Sequence, residues 1–234
     1  MKKISGYVLS ILLFAFIIIW IGCFLDKQEN RIDNNALLEV LDNSNGSRLS
    51  IACTIIVNGS TWDGNGMEID ATSLPPTSKY LAPSPVFSVT NGTVKNVILT
   101  GKARQPFTLN GDCTVSDVTI DITSSDTAMF TNKNIGNLSF SNITINYGGG
   151  TSFRMKGGTT AVYQNIKSNQ FFLISQYDAL ASTYYLDEIK STNLHANNIV
   201  ECQNSADTTV YWRNITAEIP ESLWWNGSFQ VIPY

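Results

Sequence analysis

The sequence predicts an all-β protein, a single-stranded right-handed parallel β-helix, preceded by an N-terminal hydrophobic helix. Three observations carry this reading. A polar residue followed by a β-branched one recurs at Asn96-Val97, Asp117-Val118, Asn142-Ile143, Asn165-Ile166, Glu188-Ile189 and Asn214-Ile215, at separations of 21, 25, 23, 23 and 26 residues. An aromatic or thioether residue recurs between these steps at Phe87, Phe107, Met129, Phe153, Phe172 and Trp224, with an aliphatic residue substituting near Ile199. The intervening runs are short, alternate in polarity and are joined by polar turns, as in Val94–Ile122, where Val94–Leu99, Phe107–Leu109 and Val115–Ile120 read as three strands. A repeat of this length cannot bury its inward side chains alone; it does so against the turns above and below, which makes a solenoid.

Taken in order, the chain begins with Lys2 and Lys3 and then an apolar run from Val8 to Leu25. Eighteen helical residues span about 27 Å, close to the hydrocarbon thickness of a bilayer. Residues 1–25 are therefore read as a signal anchor, with a cleaved signal peptide as the alternative, because Trp20 is bulky for a small-x-small cleavage site ending at Gly22. Either reading exports the remainder and makes the membrane a partner of this segment. Residues 26–50 read as a polar linker in which Ala36–Leu41, preceded by Asn34 and Asn35, forms a short helix that could cover the open end of the coil. Residues 51–234 are assigned to the β-helix.

Composition agrees with one apolar core: 43 % of the 234 residues are hydrophobic and only 15 % charged. The net charge of −4 argues against nucleic acid as a partner, and it means that a polyanionic ligand would require a local basic patch or a bridging cation. Cys23 falls in the apolar segment, leaving Cys53, Cys113 and Cys202, whose spacing fits neither a zinc ribbon nor a redox pair. His195 is the only histidine and no GxSxG motif accompanies it, so a histidine-based triad is disfavoured. Seven Asn-x-Ser/Thr triplets, at Asn45, Asn58, Asn91, Asn137, Asn142, Asn214 and Asn226, would accept glycans on a eukaryotic secretory route. Asn142 and Asn214 also occupy the repeat position, where structure alone explains them.

Four motifs, in register, then carry a resemblance. Trp62-Asp63-Gly64-Asn65-Gly66, Pro85-Val86-Phe87-Ser88-Val89, Gly92-Thr93-Val94-Lys95-Asn96-Val97-Ile98 and Asn110-Gly111-Asp112-Cys113-Thr114-Val115 resemble the small calcium-dependent pectate lyases of polysaccharide lyase family 3. The match runs from about Asp63 to about Asp178. The resemblance implies a parallel β-helix, an extracellular or cell-surface setting and galacturonan, an acidic polysaccharide, as ligand. It also implies β-elimination, in which a base removes the proton α to the uronate carboxylate while calcium neutralises that carboxylate.

Carried over position by position, the family's catalytic set is largely replaced. Its calcium aspartate falls on Gln105, its acidic pair on Ser125 and Asp126, its site lysine on Thr151 and its arginine on Gln176. Asp126 alone remains as a candidate metal ligand, with a turn residue capping a rung as the alternative. Lys102, Arg104, Arg154 and Lys156 are the candidate substrate-binding strip, because Arg154 and Lys156 alternate around Phe153 and Met155; scattered surface cations are the alternative. The expectation is an exported pectate-lyase-like protein that binds carbohydrate or is structural and has lost its chemistry. The competing expectation is an active lyase using calcium, Asp126 and either Arg104 or Arg154 as base.

Overall fold

The computed structural model describes residues 48–74, 85–122, 127–131, 136–146, 150–193, 198–202 and 207–234. The expected N-terminal helix over 1–25, the helical patch 36–41, Asn45, Asp126 and His195 lie outside them. Short strands open the chain: β1 (Arg48–Ser50), β2 (Ile55–Asn58), β3 (Thr61–Asp70), β4 (Phe87–Thr90), β5 (Thr93–Gly101) and β6 (Phe107–Asn110). Next come β7 (Cys113–Ile122), β8 (Thr127–Thr131), β9 (Asn137–Ile145), β10 (Thr151–Met155), β11 (Thr160–Ser168) and β12 (Phe172–Gln176). The last are β13 (Thr183–Ser191), β14 (Asn198–Cys202), β15 (Thr209–Ala217), β16 (Trp225–Gly227) and β17 (Gln230–Pro233). Odd strands pair in sequence as one parallel nine-stranded sheet, here sheet A, and even strands as a parallel eight-stranded sheet, sheet B. Each strand thus pairs with the strand two further on, which is the connectivity of a parallel β-solenoid. Among the described residues the helical element is a single 3₁₀ turn, Glu221–Leu223, and none is long and apolar enough to cross a membrane. β1 falls within the stretch read as linker.

The recurrent polar residue proves to be a corner inside one strand and not the residue before a strand. Asn96, Asp117, Asn142, Asn165, Glu188 and Asn214 all have φ between 52° and 56°. A left-handed residue puts two consecutive side chains outward, so the buried positions on either side, such as Val94 and Val97, stand three apart. Strict alternation would have separated them by an even number. The β-branched partners Val97, Val118, Ile143, Ile166, Ile189 and Ile215 stack in register, with Met67 below Val97.

Inside sheet B the register stacks Phe87 on Phe107, Met129, Phe153, Ile174, Val200 and Trp225. The row therefore passes through Ile174, Val200 and Trp225 where the sequence suggests Phe172, Ile199 and Trp224. Phe172 pairs instead with Thr151 and Asn198 and is half-buried. Phe153 sits 4.7 Å from Phe140 and 4.8 Å from Tyr163, tying sheet B to sheet A across the core. At the C-terminal end Trp224 is buried, donates its indole N–H to the carbonyl of Ile219 at 3.1 Å and packs on Trp212 and Trp225. Trp224 therefore closes the last turn, and it is not an exposed interface anchor.

Candidate functional site

Because the inward row of sheet B is set by Phe107, Met129, Phe153 and Ile174, the residue after each one faces outward. The outward row runs Ile56, Ser88, Thr108, Phe130, Arg154, Ser175, Glu201 and Asn226, in direct register from strand to strand. Its members are half-buried or exposed, and successive ones stand about 4.8 Å apart along the coil axis. Ser88, Thr108 and Ser175 are short, so hydroxyls flank a taller group at the centre of the row.

That group is built from Phe130, Arg154 and Tyr177. Phe130 and Tyr177 stack at 5.8 Å with an interplanar angle of 13°, and the Arg154 guanidinium lies 5.6 Å from the centre of the Tyr177 ring. Among the described residues no carboxylate forms an ion pair with Arg154, whereas Arg48, Lys95 and Arg213 each hold an aspartate. Burial pushes the Tyr177 phenol above its ordinary value and the Asp178 carboxylate adds to this, while Arg154 opposes both. Tyr177 is therefore a neutral hydrogen-bonding group at physiological pH.

The loop carrying Tyr177 is held from inside the coil. Gln176 is fully buried and donates from Nε2 to the carbonyls of Asp178 at 2.9 Å and Leu180 at 2.7 Å. Its Oε1 accepts from the Tyr184 hydroxyl at 2.8 Å. Asp178 Oδ1 in turn accepts from the Gly157 amide at 2.6 Å, and a Cβ on Gly157 would lie 2.1 Å from that oxygen, so only glycine allows this approach.

The residues singled out in the sequence are divided by this geometry. Arg154 is at the centre of the outward row, flanked by the fully buried Phe153 and Met155, and Lys156 follows on the connection leaving β10. Lys102 and Arg104 stand on the other side of sheet B, on the connection entering β6, where the Arg104 carbonyl accepts the Thr127 amide at 3.3 Å. β6 is two strands away from β10, roughly 9.6 Å along the axis. Gln176 faces the core, and Thr151 is buried at the start of β10. Phe130, Tyr177 and Glu201 were not singled out, although their place one residue after an inward position was available once the row passed through Ile174 and Val200.

Asp126 lies outside the described residues, and those that are described do not supply the donors that calcium needs. That ion takes six to eight hard oxygens, carboxylates foremost. Gln105 stands where the family has one carboxylate, and no group of three or more histidine, cysteine, aspartate or glutamate residues converges among the described residues.

The fold is a parallel β-solenoid in which sheet B carries an outward arginine at its centre. A family model described as Pectate lyase matches residues 39–169, more than half of the chain. The chain belongs to the pectate lyase family. No curated protein matches it. The family match ends before Gln176, so the carried-over arginine position falls beyond it.

Proposed function

We propose that this protein binds an acidic, galacturonan-like polysaccharide along the outer face of sheet B, outside the cell or at its surface, and has lost the family's elimination chemistry. The observation that carries the reading is Arg154, an outward guanidinium with no carboxylate partner among the described residues, set beside Tyr177 and Phe130 in the middle of a track of hydroxyls. A guanidinium presents a planar fork that matches a uronate carboxylate bidentately and needs no bridging cation. Family membership supports an acidic polysaccharide as the ligand class. The replaced calcium and lysine positions, Gln105 and Thr151, support the loss of turnover.

Binding of the purified protein to polygalacturonate and to neutral glycans tests this, with unsaturated product followed with and without added calcium. Polygalacturonate binding without turnover is expected, weakened about tenfold in Arg154→Ala. Sustained formation of unsaturated product would overturn the loss of chemistry. Its abolition in Asp126→Ala, Arg104→Ala or Arg154→Ala would then assign the metal ligand or the base.

A further inference from the structure

The outward row of sheet B carries two charged groups of opposite sign among the described residues, Arg154 and Glu201, separated by one strand and the neutral Ser175. They stand about 9.6 Å apart along the axis, two strand spacings. Glu201 is half-buried and fixed in place: Oε2 accepts from the Ser175 hydroxyl at 3.3 Å and Oε1 from the Asn226 amide at 3.4 Å. Neither donor is charged, so neither offsets the carboxylate where it faces the track.

A uronate homopolymer lying along this row would meet the arginine with one carboxylate and would have to bring another against Glu201. Like charges at a surface separation of a few ångströms repel, and the effect is screened by salt. We infer that the track selects a polyuronate in which a sugar with an ionised carboxylate, seated at Arg154, is followed by an uncharged one, esterified or neutral, seated at Glu201. This rests on the reading of sheet B as the polysaccharide-binding face and specifies its ligand. The uncharged unit can also donate to the Ser175 hydroxyl oxygen and accept from the second Asn226 amide hydrogen, which a carboxylate would approach only against Glu201.

The test uses the full protein with three soluble polymers: de-esterified polygalacturonate, the same polymer half methyl-esterified, and the fully esterified form. At low salt the half-esterified polymer is expected to bind about two- to fivefold more tightly than the de-esterified one. Glu201→Gln keeps the shape and the contacts to Ser175 and Asn226, and it is expected to erase that preference by strengthening binding of the de-esterified polymer. Arg154→Ala weakens both, and the fully esterified polymer binds weakest. De-esterified polymer binding as tightly as the half-esterified one, or a preference that survives Glu201→Gln, overturns the selectivity while leaving the binding face in place. Failure of every uronate polymer to bind overturns the reading of the face and the selectivity with it.

Discussion

Asn165 donates from its side-chain amide to Oδ1 of Asn142 at 2.9 Å, and Asn142 donates in turn to Oδ1 of Asp117 at 2.9 Å. Each of the three residues has a positive φ and turns the corner of its strand. The side chains thus form a hydrogen-bonded ladder parallel to the backbone ladder, and asparagine suits it twice, tolerating the left-handed conformation and offering both a donor and an acceptor. Asn142→Gly keeps the conformation and removes two hydrogen bonds, and is expected to lower stability by about 1–2 kcal/mol. Asn142→Ala loses the conformational tolerance as well, for about 2–4 kcal/mol. Denaturant unfolding of both variants measures the difference, and equal losses would show that the corner itself carries no strain.

Glu188 occupies the same corner with φ 56° and is the least suited residue of the series. Its side chain is exposed, and the Asn214 amide passes it to reach Oδ1 of Asp187 at 3.0 Å. Glu188→Asn relieves the backbone penalty and is expected to raise stability by about 0.5–1 kcal/mol, read as a rise in the thermal midpoint.

The repeat was legible because β-branched residues must stack on β-branched residues, so Val97, Val118, Ile143 and Ile166 fall at one position per turn. What stood out less was the phase of the weaker sheet. Phe172 is more conspicuous than Ile174, yet Ile174 is the residue that meets Phe153. That slip of two keeps the facing of each residue and shifts only the alignment of turns, whereas the one-residue slip from Val200 to Ile199 hid the fact that Glu201 faces outward. The site depended on this phase, and side-chain parity in a four- or five-residue strand is set by its register with its neighbours and not by its own composition. Asp187, Arg213 and Asn214 likewise meet only through the stacking of β13 on β15, which no local pattern announces.

The Asp187 carboxylate is held below its ordinary value of 3.8, first by the hydrogen bond from Arg213, against an opposing effect of burial, with Asn214 adding to the lowering. A carboxyl whose folded value is depressed contributes stability that is fully present above its unfolded value and is lost as pH falls through the folded one. Stability is therefore expected to fall as pH is lowered from about 4, the ordinary carboxylate range. Asp187→Asn should be less stable at pH 7 and show a shallower decline below pH 4. Parallel stability–pH curves for the two proteins would remove Asp187 from the acid response.

Cys53, Cys113 and Cys202 form no disulfide with one another, the first being half-buried and the other two buried. Burial first, and the neighbouring Glu201 second, hold Cys202 at about 12, so almost none of it is thiolate at neutral pH. An alkylating reagent at pH 7 is expected to modify Cys53 promptly and Cys113 and Cys202 only on unfolding, as peptide mapping of the adducts would show. Modification of Cys202 at the rate of Cys53 would mean that the last turns of the coil open readily.

Gln176 connects the core to the candidate site, since its amide holds the Asp178 and Leu180 carbonyls while the next residue, Tyr177, meets Arg154. Gln176→Leu matches its size but leaves two carbonyl oxygens and the Tyr184 hydroxyl without this partner in a buried setting. Each such loss costs about 1–3 kcal/mol, with some recovered by relaxation of the loop toward water, so about 2–4 kcal/mol overall is expected. The loop 177–182 should loosen before the coil does. Limited proteolysis is therefore expected to nick it in Gln176→Leu under conditions where the parent chain stays intact, and uronate binding should weaken together with it because Tyr177 no longer stands against Arg154. A variant that loses stability while keeping the loop protected and the binding unchanged would show that Tyr177 is positioned by its stacking on Phe130 alone.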